Sequence, residues 1–381
     1  MSKQSNIDYS AVKSLPDLLN ILREKEVPSN LIWKYVDIYQ EQKARKAGIP
    51  LFGQFELTPL CNLDCKMCYV HMDAEHLNGV KLLPAEWWKD IMLQAHSMGM
   101  MNATLTGGEC LTYPEFDDLY MFLRGLGVKV GIKSNGVLLN EERISFFVKY
   151  PPRGITVSLY GSSNEAYERV TGHRVFDIVY SNLLRLKDTG IPVDIAITPS
   201  KYLYDDMERL LAVVNQLSIR YSVNIMLFPP REETGRTIND LSNEEYAAIY
   251  KLLKGKKTPR STDREPVERP DSSKKQNRRY GVSCGAGRSS FSVNWNGNMV
   301  ACDNLNALKV NLQNTPFSEA WNAVHSDAMS YQLPIECNDC KYDSLCFSCP
   351  AYRSIGEKPG HCSPRICDRT KMLIREGVYV L

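Results

Sequence analysis

Three cysteines carry the most specific chemistry in this chain. Cys61, Cys65 and Cys68 form a C-x3-C-x2-C loop, Cys61-Asn-Leu-Asp-Cys65-Lys-Met-Cys68-Tyr69, directly after an apolar, β-prone run from Leu51 to Thr58. Three thiolates this close can converge on one soft metal centre, because thiolates select iron–sulfur clusters, zinc or copper(I). No fourth cysteine or histidine stands in the loop to complete a set of four. A closed structural zinc site takes four protein ligands, whereas a four-iron cube held by three cysteines keeps one iron free for a substrate.

The chain has 12 cysteines. Cys110 stands alone, and the other eight lie between Cys284 and Cys367. Cys284 precedes Phe291–Trp295, then Asn296-Gly297, then Asn298–Cys302. Asn-Gly between two short β runs predicts a hairpin, which brings Cys284 and Cys302 together. Cys337-x2-Cys340-x5-Cys346-x2-Cys349 follows, then Cys362 and Cys367. Paired C-x2-C knuckles are a zinc signature, and eight thiols also suffice for two four-iron clusters. Reducing conditions disfavour a disulfide framework.

At 381 residues there is room for one large domain and a small one. Hydrophobic content of 43% and charged content of 24% are those of a soluble globular protein. The net charge of +2 argues for neither nucleic acid nor an anionic membrane as partner. No run approaches the about 20 apolar residues of a membrane span, and MSKQSNIDYS lacks the apolar core of a secretory signal. The expectation is a cytoplasmic protein.

The elements that position these residues follow from periodicity. Residues 1–50 read as helical, with Leu15, Leu18, Leu19 and Leu22 and then Leu31, Tyr35, Ile38 and Tyr39 at helical spacing. From 51 to 254 strand and helix alternate, with β runs at 51–58, 102–106, 127–133, 154–159, 191–197 and 223–228. Helix-like segments follow them, among them Pro84–Ser97, Phe116–Leu126, Phe176–Lys187 and Tyr204–Leu217. Six such units imply a parallel sheet with helices outside it. Residues 255–283, rich in charge and proline and without apolar periodicity, read as an exposed linker, and 284–381 as a cysteine-rich domain.

The opening loop, with Met67 at its hydrophobic position and Tyr69 at its aromatic one, resembles the radical SAM enzymes. Thr106-Gly107-Gly108-Glu109, after the second strand, matches that family's GGE motif. The resemblance implies a partial (β/α)6 barrel, a [4Fe-4S] cluster on Cys61, Cys65 and Cys68, and S-adenosyl-L-methionine (SAM) on the free iron. Tyr69, Gly107, Gly108, Glu109, Ser134, Asn135, Ser158 and Arg169 are the SAM-binding positions it suggests. Turn, cap or surface roles are the competing readings for the last four.

The late cysteines resemble the SPASM extension, whose G-x4-C is here Gly297 to Cys302. That resemblance implies two auxiliary [4Fe-4S] clusters. Cys284, Cys302 and Cys349 would serve the first; Cys337, Cys340, Cys346 and Cys367 would serve the second. An additional hairpin cysteine of some relatives is absent, Arg288, Ser289 and Ser290 standing in that region. Cys362 would therefore complete the first cluster, or one iron would stay open. Asp303, beside Cys302, corresponds to an aspartate thought to be the base of sulfatase-maturing relatives; a plain hairpin-end aspartate is the other reading. Cys110 is either a hydrogen-atom donor or covalent handle, or a small buried hydrophobe.

Relatives with this extension mostly act on peptides or proteins. The resemblance thus implies maturation of a ribosomal peptide by a thioether, carbon–carbon or related crosslink or by oxidation, with a reductant such as flavodoxin or ferredoxin. Fifty N-terminal residues are too few for a winged-helix leader-recognition domain, which leaves a separate leader-binding protein or binding without one. The rivals are a formylglycine-forming sulfatase maturase, an oxidase of a small tetrapyrrole-like molecule, and a non-catalytic zinc scaffold.

Overall fold

A computed structural model of the chain describes residues 11–231 except Asp73, 240–253, and 281–379 except 283, 306, 338, 344, 347–348, 354 and 356–359, together with Ile7 and Tyr9. The charged stretch 255–283 lies outside the described residues apart from Gly281 and Val282.

Six strands carry the first part of the sheet: β1 Phe52–Glu56, β2 Asn102–Thr106, β3 Lys129–Ser134, β4 Gly154–Ser158, β5 Val193–Ile197 and β6 Arg220–Val223. Neighbours in sequence pair in parallel throughout. Parallel pairing demands long crossovers, and the helices Ala85–Ser97, Phe116–Gly125, Glu141–Lys149, Asn164–Thr171, Phe176–Lys187 and Met207–Leu217 lie in them. Local signals set several starts. The Asn140 side chain accepts from Arg143 N at 2.9 Å, and Ser163 Oγ accepts from Ala166 N at 3.2 Å, each satisfying an amide of the first helical turn.

Three further strands, β7 Ser290–Val293, β8 Asn298–Val300 and β9 Lys309–Asn311, extend the same sheet. β7 lies parallel to β1, Phe52 facing Ser290, and β8 and β9 continue antiparallel. The order is β6-β5-β4-β3-β2-β1-β7-β8-β9. The Asn296-Gly297 hairpin forms as the sequence predicts, with Gly297 at φ +82°, where a side chain would be strained. Packing seals the joint. Phe55 of β1 meets Trp88 and Phe291 edge-on at 6.2 and 5.9 Å, and Phe291 meets Phe317 of the helix Phe317–Ser330 at 5.1 Å. Three edge-to-face contacts carry one core from the parallel strands into the hairpin.

The expected N-terminal helicity takes the form of helices Leu15–Glu24 and Ser29–Ala47. They bury a small cluster of their own, Ile7, Val12, Leu18, Leu22, Tyr35 and Val36. The second helix ends on Gly48, at φ +65°, whose carbonyl accepts the Trp321 indole at 2.7 Å. At the other end, the helix Pro364–Arg375 packs on Asn243–Leu253. Buried Arg369 there donates to Tyr352 Oη at 2.8 Å and Leu241 O at 2.6 Å. Among the described residues no helix is long and apolar enough to cross a membrane.

Candidate active site and cysteine centres

The opening loop leaves β1 and is held by backbone on two sides. Gly108 N donates to Thr58 O at 2.7 Å and Glu109 N to Leu60 O at 2.9 Å. Asp64 N and Lys66 N donate to Thr171 O and Val170 O, both at 2.9 Å, at the end of the helix Asn164–Thr171. The glycines of the GGE segment are explained by this contact. A Cβ on Gly107 would lie 2.6 Å from Thr58 O, and one on Gly108 would lie 2.4 Å from Leu60 O. Gly108→Ala is therefore expected to push the loop away, costing about 1–3 kcal/mol, and to lower the iron it retains. Iron per chain after reconstitution measures this. Gly125→Ala, where an added Cβ meets nothing within 4 Å, leaves it unchanged.

The loop directs N–H groups at its sulfurs. Leu63 N reaches Cys61 Sγ at 3.5 Å, His71 N reaches Cys68 Sγ at 3.2 Å, and Asn135 Nδ2 reaches Cys61 Sγ at 3.7 Å. Burial pushes the Cys61 thiol up to about 12, and the charges of Glu109 and Cys68 add to the rise. Burial holds Cys65 well above its ordinary value, with Cys68 and Cys61 pushing further. Three thiols that oppose each other's ionisation become thiolates together only on a positive centre. No three His, Cys, Asp or Glu among the described residues converge on a point as one ion requires. A four-iron cube takes each cysteine on a different iron, so this donor set fits it. His71, three residues after Cys68, escaped the sequence reading as a nearby nitrogen donor; its Nε2 lies 3.5 Å from Asp64 Oδ1.

Glu109 is fully buried and joins two of the other predicted positions, Ser134 and Asn135. Its carboxylate accepts from Asn135 N at 2.7 Å, Ser134 Oγ at 3.1 Å and Leu111 N at 3.1 Å. Burial raises its pKa against these donors. Asn135 also donates through Nδ2 to Asn62 Oδ1 at 2.7 Å, so it ties the GGE carboxylate to the cysteine loop. Ser158 closes β4, half-buried, beside the Tyr160 hydroxyl. Arg169 is exposed on the helix Asn164–Thr171. Cys110 is wholly buried, its thiol donated to Lys133 O at 3.3 Å and held well above its ordinary pKa by burial. That is the setting of a packed core thiol.

Asp303 meets charged groups that the sequence reading did not single out. Gln54 and Glu56, two residues apart on β1, share a face. Gln54 Nε2 donates to Asp303 Oδ2, and Lys133 Nζ donates to Gln54 Oε1 at 2.7 Å. Arg231 grips Glu56 through both nitrogens at 2.9 Å, lies 3.4 Å from Asp303 Oδ1, and stacks 5.5 Å from the Tyr69 ring. Its own amide donates to Tyr69 O at 3.0 Å. Burial raises Glu56 and Asp303, while Arg231 pulls both back. Water reaches Lys133, yet protein surrounds it closely enough to lower its ammonium, with Asp303 opposing. The sequence signal for this network was a glutamate at the end of a strand bearing Phe52 and Phe55 and followed by Leu57, since an ionisable group in such a place needs a partner.

The late cysteines gather in two places. Burial pushes Cys302 up to about 11, with Asp303, Cys284 and Cys349 adding to the rise, so these three cysteines are neighbours. Cys337, Cys340, Cys346, Cys362 and Cys367 line a separate cavity of about 310 Å³ with Arg353. Cys362, offered by the sequence resemblance as the completing ligand of the first centre, stands with the second instead.

Residues 55–214 match the family described as the Radical SAM superfamily. The antilisterial bacteriocin subtilosin biosynthesis protein AlbA of Bacillus subtilis is 26% identical over 184 residues, covering 48% of this chain and 40% of AlbA. The PqqA peptide cyclase of Streptomyces rochei is 29% identical over 155 residues, 39% of this chain and 41% of the cyclase. Both matches span less than half the length of those relatives. SuiB of Streptococcus suis, bound to S-adenosylmethionine, has the same fold with a TM-score of 0.65 at 17% identity, over 92% of this chain and 86% of SuiB. That likeness runs past residue 214 into the cysteine-rich region. The segment from β1 to the helix after β5 thus matches a radical SAM domain.

Proposed function

We propose that the chain is a radical SAM enzyme with a SPASM-type extension that modifies a ribosomally made peptide. The observation that carries this reading is the three-thiol loop clamped by Gly108 and Glu109, with the Cys284/Cys302/Cys349 centre joined to β1 through the hairpin. Cys61, Cys65 and Cys68 would hold a four-iron cluster, which together with SAM would supply radical chemistry able to take a hydrogen atom from an unactivated C–H bond. The protein's part is to bind, orient and exclude water. Glu109, fixed by Ser134 and Asn135, keeps acceptor capacity for the ammonium of SAM. Tyr69, Ser158 and Arg169 are the other proposed SAM contacts. Asp303, buried with a raised pKa, is the proposed proton acceptor.

Cys284, Cys302 and Cys349 would hold one auxiliary cluster; Cys337, Cys340, Cys346 and Cys367 would hold another, and these would take up the electron left on the substrate. In this reading 51–254 generates the radical, 284–381 houses the auxiliary clusters, 255–283 links them, and a flavodoxin- or ferredoxin-type reductant serves the first cluster. The names of relatives support a peptide substrate: one is a subtilosin biosynthesis protein, another a PqqA peptide cyclase, and SuiB has been solved with its precursor peptide SuiA. Leader binding falls to a separate protein, or the peptide binds without one.

Anaerobically reconstituted protein is expected to hold about 12 irons and about 12 sulfides per chain. With SAM and dithionite it should form 5′-deoxyadenosine, read by chromatography. About 4 irons with bound zinc would remove the electron-acceptor role of the late cysteines. No iron at all would sink the enzyme reading.

A further inference from the structure

A four-iron cluster needs four protein ligands at most, yet five thiols line the second cavity. Cys362 is held there by the chain on both sides of it. Its amide donates to Glu336 at 3.0 Å, and Glu336 is the neighbour of Cys337 in sequence. Glu336 also meets the His361 ring at 2.9 Å. Ile335 N donates to Gly360 O at 2.8 Å, and Ser363 N to Arg353 O at 2.9 Å. Arg353, itself buried, donates to Cys337 Sγ at 3.5 Å and to Asp343 at 2.7 Å. The segment carrying Cys362 is therefore stitched to the two residues that border the Cys337 sulfur. Cys367 stands in the first turns of the helix Pro364–Arg375, its amide bonded to Ser363 O at 3.1 Å. One short turn thus presents both thiols to the same cavity.

We propose that Cys362 is a spare ligand of the second cysteine centre, able to take the position of Cys367 on the same iron. The inference rests on the reading that this centre holds a four-iron cluster. Cys337, Cys340 and Cys346 anchor three corners, and the fourth is served by Cys367 or, when that thiol is missing, by Cys362. A consequence is that Cys362 does not complete the centre of Cys284, Cys302 and Cys349, which keeps three cysteines.

The test compares wild type, Cys362→Ala, Cys367→Ala and the double variant, each as the full chain reconstituted anaerobically. Wild type is expected to hold about 12 irons, each single variant the same, and the double variant about 8. A second measurement avoids the double variant altogether. Native alkylation with iodoacetamide followed by peptide mapping is expected to label Cys362 in wild type and to find it protected in Cys367→Ala. Loss of four irons in either single variant overturns the proposal, as does a double variant that keeps 12. So does a Cys362 that stays reactive in Cys367→Ala. If wild type itself holds only about 4 irons with zinc, the cluster reading fails and the proposal falls with it. Full wild-type iron with a failed exchange strikes the spare-ligand role alone.

Discussion

Replacing Cys61, Cys65 and Cys68 together by alanine is expected to lower iron from about 12 to about 8 per chain and to bring 5′-deoxyadenosine formation down to the background of a protein-free control. The loss should be local. The backbone path of the loop depends on Thr58 O, Leu60 O, Val170 O and Thr171 O accepting from Gly108, Glu109, Lys66 and Asp64, none of which involves a thiol. Leu63, Met67 and Val70, which pack the loop against the core, also remain. The variant should therefore fold, and the eight late cysteines should keep their irons. Circular dichroism and iron analysis on one preparation separate a folded protein lacking one cluster from a collapsed one. Iron unchanged near 12 would mean that these three cysteines hold nothing. Residual 5′-deoxyadenosine well above the control would place the reductive chemistry at another centre.

Much of this was legible in the sequence because the chemistry is spelled by residue type and spacing. Alternating apolar runs gave the parallel sheet, and the helix Phe176–Lys187 falls where its periodicity placed it. The sixth strand was expected at 223–228 but occupies Arg220–Val223. Ile225 and Leu227 are buried, so their alternation imitates a strand, while the paired run at this sheet edge mixes Tyr221 and Val223 with polar Ser222 and with Arg220, which binds Asp194 across the pair. Burial pattern alone cannot tell a paired edge from a chain lying on the core. The junction of β7 with β1 was also beyond reach, since a strand at 290–293 and another at 52–56 share no local signal. For the same reason the sequence pointed Cys362 to the first centre, whereas the fold sets it beside the second. Leu15 and Leu31 kept helical spacing yet are exposed at 40% and 43%, because only the Leu18 and Leu22 face meets the second helix. The GGE glycines were read as places for a ligand; in the fold they admit the cysteine loop's own backbone.

The largest stability effect outside the cysteines should come from Arg231→Met. Arg231 is the cation between two carboxylates that are almost without contact to water, the side chains of Glu56 and Asp303 being 3% and 5% exposed. Methionine keeps much of the volume and removes the charge and both hydrogen bonds to Glu56. Taking one partner from a buried ion pair costs about 3–5 kcal/mol, chiefly because the other charge is left uncompensated. Part of that cost is escapable by protonation, which fixes a pH signature. Burial already raises Glu56 and Asp303 above the usual carboxylate range, and Arg231 is the strongest influence holding them down. Without it both rise further. A carboxyl whose folded pKa lies above its unfolded one contributes stability below the ordinary carboxylate range and loses it as pH climbs through the raised folded value. The gap in apparent melting temperature between Arg231→Met and wild type should therefore be wider at a mildly alkaline pH than at one just above the ordinary carboxylate range. Glu56→Gln in the Arg231→Met background should narrow it again by removing one of the stranded charges. Arg231→Lys, which keeps the charge but not the two-pronged grip, should show a smaller gap and a flatter profile than methionine. A gap of equal size at both pH values would mean that Glu56 and Asp303 do not depend on Arg231 for their charge. Their place beside Tyr69 and Cys302 would then be a matter of packing, and the case for Asp303 as a tuned base would lose its electrostatic support.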